Sequence, residues 1–106
     1  MPYLLRFVQK YRPADRDAFM ALEAHFAALE TQSDLPCGTR MQPYAGRDPA
    51  NTHIWECRFD SLQEAQDALA RIQAHPEHEQ LFQKQVPFFL DAWTEIYEIL
   101  EFSATP

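Results

Sequence analysis

The chain has 106 residues, of which 46% are hydrophobic, 24% charged and 13% aromatic, and its formal net charge is −7. That length suits one α+β domain spanning 1–106, because two separate cores would each be too small to be stable. The negative charge excludes nucleic acid and anionic membrane surfaces as partners, since both would repel the protein, and no apolar run reaches the length of a signal peptide or a membrane span.

The first element is a strand from Tyr3 to Tyr11, dominated by Tyr, Leu, Phe and Val and stopped by Pro13. A helix follows over about 15–31. Phe19, Leu22, Phe26 and Leu29 are spaced three, four and three apart and share one face. Asp15 and Asp17 stand at its start, where carboxylates favour the positive end of the helix dipole. A loop over 33–38 leads to a weaker strand over 38–45, which Pro43 restricts to an edge or a bulge. The run over 46–51, Gly-Arg-Asp-Pro-Ala-Asn, is turn chemistry.

Residues 52–60 form the clearest strand, with His53, Trp55, Cys57 and Phe59 alternating against Ile54, Glu56 and Arg58. Ser61 and Glu64 then have capping-box spacing for a second helix, whose apolar face is Leu62, Ala65, Leu69 and Ile72. His75-Pro76 breaks that helix, and Pro76 opens a short one reaching Gln85, with Leu81 and Phe82 facing inward. Phe88-Phe89-Leu90 reads as an apolar knot after Pro87, and residues 93–102 as the last strand. The order is β-α-β-β-α-β with an extra short helix before the final strand, the split βαβ or ferredoxin-like arrangement of an antiparallel sheet covered on one side by helices.

Helices cover only one face of such a sheet, yet the first and last strands are apolar on both faces. A second copy laid sheet against sheet is the economical cover, so a homodimer is expected. With His53, Trp55, Cys57 and Phe59 under the helices, Arg6, Glu56 and Arg58 fall on the dimer-facing side. Charges there require partners or solvent. Two accounts follow: an ion-pair network inside a wet barrel, or a pocket for a small polar or anionic ligand held by Arg6, Glu56, Arg58 and Tyr97. In the second account Arg58 holds an oxygen of the ligand, Glu56 orients Arg6 or accepts a proton, and Tyr97 donates a hydrogen bond.

The stretch Ile54-Trp55-Glu56-Cys57-Arg58-Phe59-Asp60-Ser61-Leu62-Gln63-Glu64-Ala65, then His75-Pro76-Glu77-His78-Glu79-Gln80-Leu81-Phe82, and the closing Glu95-Ile96-Tyr97-Glu98-Ile99-Leu100 resemble the second half of dimeric α+β barrel proteins. That superfamily includes antibiotic-biosynthesis-type monooxygenases, stress-responsive barrel proteins and NIPSNAP-like domains. The resemblance implies the dimeric barrel, and either ligand binding, a purely structural role, or cofactor-independent oxygenation. Haem-degrading members carry an Asn on the first strand and a Trp and a His around the second helix. Here the first strand offers Gln9 and the chain's Asn51 lies in a turn, so haem chemistry is not implied.

Other chemistry-bearing residues have structural readings. His75 and His78 have a spacing that can bring two imidazoles to one metal, but no clear third ligand accompanies them; helix capping is the commoner role, and no metal is assigned. The two glycines, Gly38 and Gly46, make no phosphate-binding loop, and no cofactor is expected. Cys37 and Cys57 read as reduced thiols of a cytoplasmic protein. His25 reads as a boundary residue, and the acidic positions read as solvated faces.

Overall fold

The computed structural model describes residues 1–102. Strand β1 (Tyr3–Tyr11) runs into a short 3-10 turn at Pro13–Asp15 and then helix α1 (Arg16–Gln32). Strands β2 (Thr39–Met41) and β3 (Thr52–Phe59) precede helices α2 (Leu62–Ala74) and α3 (Pro76–Gln85). A second 3-10 turn at Val86–Phe88 feeds strand β4 (Phe89–Glu98). The sheet order is β2-β3-β1-β4, and every neighbouring pair is antiparallel. This is the ferredoxin-like α+β arrangement expected from the sequence.

The register fixes which residues share a face. Leu5 lies opposite Cys57 and Ile96, and Arg6 opposite Glu56 and Glu95. One face therefore carries Leu5, Phe7, Gln9, His53, Trp55 and Ile96, and it is the face the helices cover. Its core joins Leu5 and Trp55 to Leu29 and Leu35 and to Ile72 of α2. Phe7 stacks on Trp55 at 4.9 Å, and Tyr11 stacks on Phe19 of α1 at 4.6 Å. Such stacked pairs add about 0.5–1.5 kcal/mol beyond the area they bury.

Local chemistry sets the helix ends. The Ser61 hydroxyl accepts from the Glu64 amide at 3.1 Å, and the Glu64 carboxylate accepts from the Asp60 amide at 3.1 Å. His75 ends α2 and begins α3: its amide donates to the Ile72 carbonyl, and its ring Nδ1 accepts from the His78 amide. Asp15 stands at the start of α1 without capping it through its side chain.

Four expectations need correction. The second strand is only Thr39–Met41 rather than 38–45, since Pro43 has no amide to extend the ladder. The last strand begins at Phe89, not Trp93, and ends at Glu98. Phe89 pairs with Tyr11 across a register shift, so two of the three residues of the supposed apolar knot are sheet. Leu62, the first residue of α2, is 40% exposed rather than buried with the apolar face. The acidic positions are not all solvated: Glu23 and Glu30 of α1 are buried.

Candidate functional site

Those two glutamates organise the principal cavity of the described residues, a space of about 290 Å³ between the sheet and the helices. Its apolar wall includes Phe7, Trp55, Phe26, Leu69, Ile72 and Phe82, and its polar wall includes Gln9, Glu23, Glu30, Arg40, His53 and Gln85. Glu23 and Glu30 reach it because they continue the stripe of Phe19 and Phe26: positions 19, 23, 26 and 30 are four, three and four apart. The helix that buries phenylalanines toward the sheet therefore buries carboxylates with them.

Arg40 of β2 faces the same way, opposite Trp55. Its Nε donates to Glu23 Oε2 at 2.7 Å, its Nη1 to Glu30 Oε1 at 3.3 Å, and its Nη2 to Glu30 Oε2. Burial works against the guanidinium charge, but hydrogen bonds to Glu30 and Glu23 outweigh it and raise the Arg40 pKa above its ordinary value. Glu30 Oε1 also accepts from Trp55 Nε1 at 3.1 Å and from the Gly38 amide at 2.9 Å. Glycine is required at position 38: a Cβ there would overlap the Trp55 indole.

His53 sits beside this cluster. Its Nδ1 lies 3.1 Å from Gln9 Oε1, which assigns the ring proton to Nδ1 when the imidazole is neutral. Nε2 lies 3.4 Å from Glu23 Oε2, outside hydrogen-bond geometry, and has no partner among the described residues. Burial lowers the His53 pKa, with Glu23 pulling the other way, which favours the neutral ring. His78, whose ring rests on Phe26 at 4.8 Å, is also lowered by burial. Gln85 closes the far wall; its Nε2 donates to Glu23 Oε1 at 2.8 Å, while its Oε1 is buried without a partner among the described residues.

None of Arg6, Glu56, Arg58 and Tyr97 lines this cavity. All four lie on the opposite face of the sheet, which the helices leave open. Three come together: Arg6 Nε is 3.1 Å from Glu56 Oε2, and the Arg6 guanidinium lies 5.5 Å from the centre of the Tyr97 ring. Glu95, not anticipated from sequence, joins them at 3.6 Å from Arg6 Nη1. Arg58 stands apart, 59% exposed, 3.8 Å from Glu101. His75 caps α3 and His25 is exposed. Among the described residues no three His, Cys, Asp or Glu side chains gather as metal ligands, and no helix is long and apolar enough to cross a membrane.

Sheet, helices and the half-open cavity between them together define a ferredoxin-like α+β fold whose polar centre lies between its two layers. No family model matches the chain, and no curated protein matches its sequence. Among solved structures it is similar to a NIPSNAP family protein from Agrobacterium tumefaciens, with TM-score 0.75, 10% identity and all of both chains covered. It is similar to a NIPSNAP domain protein from Burkholderia xenovorans, with TM-score 0.72, 12% identity and coverage of 100% of this chain and 99% of that one. It is also similar to a protein provisionally named an antibiotic biosynthesis monooxygenase, from Nitrosomonas europaea, with TM-score 0.68, 12% identity and coverage of 93% and 90%. At these identities the likeness establishes the shared fold, the one the sequence motifs resembled.

Proposed function

We propose that this protein binds a small polar or aromatic molecule in the cavity between its sheet and helices. One observation carries the reading: an aromatic-walled space of about 290 Å³ is lined by Gln85 and His53, whose buried Oε1 and Nε2 have no partner among the described residues. Ligand sites are concave and mostly apolar with a few convergent polar groups, and this volume lies at the low end of their range of about 300–1,000 Å³. A thermal-shift screen of small polar aromatics tests it. Occupants of the cavity raise the melting temperature of the wild type more than that of Ala92→Phe, whose added ring intrudes on the space from its wall. A screen in which no compound distinguishes the two proteins ends the reading.

The open sheet face supports a homodimer. Val8, flanked in register by Ile54 and Trp93, and the partly exposed Tyr97 and Met41 give that face an apolar centre. The Arg6–Glu56–Glu95 group supplies paired charges that a facing copy tolerates. Any ligand held by Arg6, Glu56, Arg58 and Tyr97 would sit at that junction of two copies. Sedimentation at micromolar concentration should give twice the chain mass. Both cysteines are free, which fits a cytoplasmic location.

Cofactor-independent oxygenation is the second reading, favoured by a neutral His53 in the cavity wall, a group able to accept a proton. Oxygen uptake with a dihydroxyaromatic probe tests it; uptake no greater than in buffer removes the oxygenase and leaves the binder.

A further inference from the structure

Charge and hydrogen-bond supply in the cavity go further than its size. Among the described residues, the buried carboxylates lining it are Glu23 and Glu30, against one guanidinium, Arg40; a third lining carboxylate, Glu79, is exposed. The two histidines of the wall, His53 and His78, are both driven toward the neutral form by burial and supply no offsetting charge. Arg40 is committed to Glu23 and Glu30 through three hydrogen bonds. A buried carboxylate in excess of its cations is costly, and a bound cation relieves it.

The unmet hydrogen bonds point the same way. Gln85 is fully buried, and its Oε1, an acceptor, has no donor among the described residues. His53 is 3% exposed, and its Nε2 carries a lone pair when Nδ1–H donates to Gln9. Both side chains flank the Glu23 carboxylate: Gln85 Nε2 donates to Glu23 Oε1 at 2.8 Å, and His53 Nε2 lies 3.4 Å from Glu23 Oε2. One small region therefore holds two acceptor atoms without donors, beside a carboxylate that accepts from Arg40 and Gln85. An ammonium group offers three N–H donors and no lone pair; a carboxylate offers only acceptors, and a hydroxyl a single donor. Phe26 and Phe82 in the same wall provide ring faces for a cation and an apolar seat for the rest of the molecule.

Resting on the binding reading above, we infer that the cavity takes a small protonated primary amine with an apolar ring, and discriminates against carboxylates. The ammonium donates to Gln85 Oε1, His53 Nε2 and Glu23, and the ring lies among the aromatic side chains.

Three probes of one shape test this by calorimetric titration at pH 7.5: benzylamine, benzyl alcohol and benzoate. Benzylamine should bind at least about tenfold more tightly than benzoate, a difference of about 1.4 kcal/mol, with the alcohol between them. Glu23→Gln should shrink that ratio toward one by weakening benzylamine far more than benzoate. If the variant does not fold, judged by circular dichroism, the wild-type ratio decides alone. Benzoate binding as well as or better than benzylamine overturns the amine inference and leaves a binding cavity. Binding of none of the three overturns both. A wild-type ratio that persists in a folded Glu23→Gln also overturns the inference, because selectivity would then arise elsewhere.

Discussion

The two faces of the sheet carry similar charged groups to opposite effect. On the helix side, Arg40 meets Glu23 and Glu30, whose side chains are 8% and 10% exposed. On the open side, Arg6 meets Glu56 and Glu95, each more than a quarter exposed. Water can reach the second group and stabilise any member left alone. In the first the carboxylates are nearly out of its reach, although Arg40 is as exposed as Arg6, at 22% each. Burial, not the identity of the paired residues, decides what each network is worth.

Removing the central cation from each group is the sharpest way to break the comparison. Arg40→Met leaves two buried carboxylates without their counter-ion and should cost about 3–5 kcal/mol, measured as the shift in urea unfolding. Arg6→Met, made in the wetter group, should cost about 1 kcal/mol or less. Equal losses would show that the open face is sealed, as a tight dimer would make it. Gly38→Ala acts on the buried network from outside, forcing the Trp55 indole off its bond to Glu30. A loss of about 1–3 kcal/mol is expected, as for other overpacked sites, together with a red shift in tryptophan emission.

A smaller, graded effect belongs to pH. Burial lowers the pKa of His53 and His78 below the unfolded value of about 6.5. The stability this carries is present above that value and is lost as pH falls through the folded values. Melting temperature should therefore decline below about pH 6.5, and His78→Phe should flatten part of the decline. A melting temperature that rose on acidification would show these rings gaining partners on protonation. The smallest effect is reserved for Arg58→Met, expected to stay within about 0.5 kcal/mol because its partner Glu101 is equally exposed.

The faces themselves were legible from alternation: His53 and Trp55 against Glu56 and Arg58 placed those side chains correctly on either side of β3. The cavity was not. Its polar wall depends on Glu23 and Glu30, which share helical spacing with Phe19 and Phe26, but carboxylates on a helix ordinarily mark the solvated side. The stripe of Leu22 and Leu29 is equally consistent with the period. Arg40 lies in a three-residue strand beside proline, too short for alternation to show its direction. Gln85, at the end of a polar helix, gave no sequence signal of complete burial; only the path of α3 reveals it.

That path hangs on one residue. His75 closes α2 through its amide and opens α3 through its ring, so the angle between the helices is set where it stands. Gln85 lies ten residues farther on, a lever arm of about 15 Å at 1.5 Å per residue. A change of about 5° at His75 would carry the Gln85 carboxamide more than about 1 Å, enough to uncouple it from Glu23 at hydrogen-bonding range. Position 75 thus governs the aim of a side chain it never touches, and selection for a well-formed cavity would act on a turn at the far end of the helix.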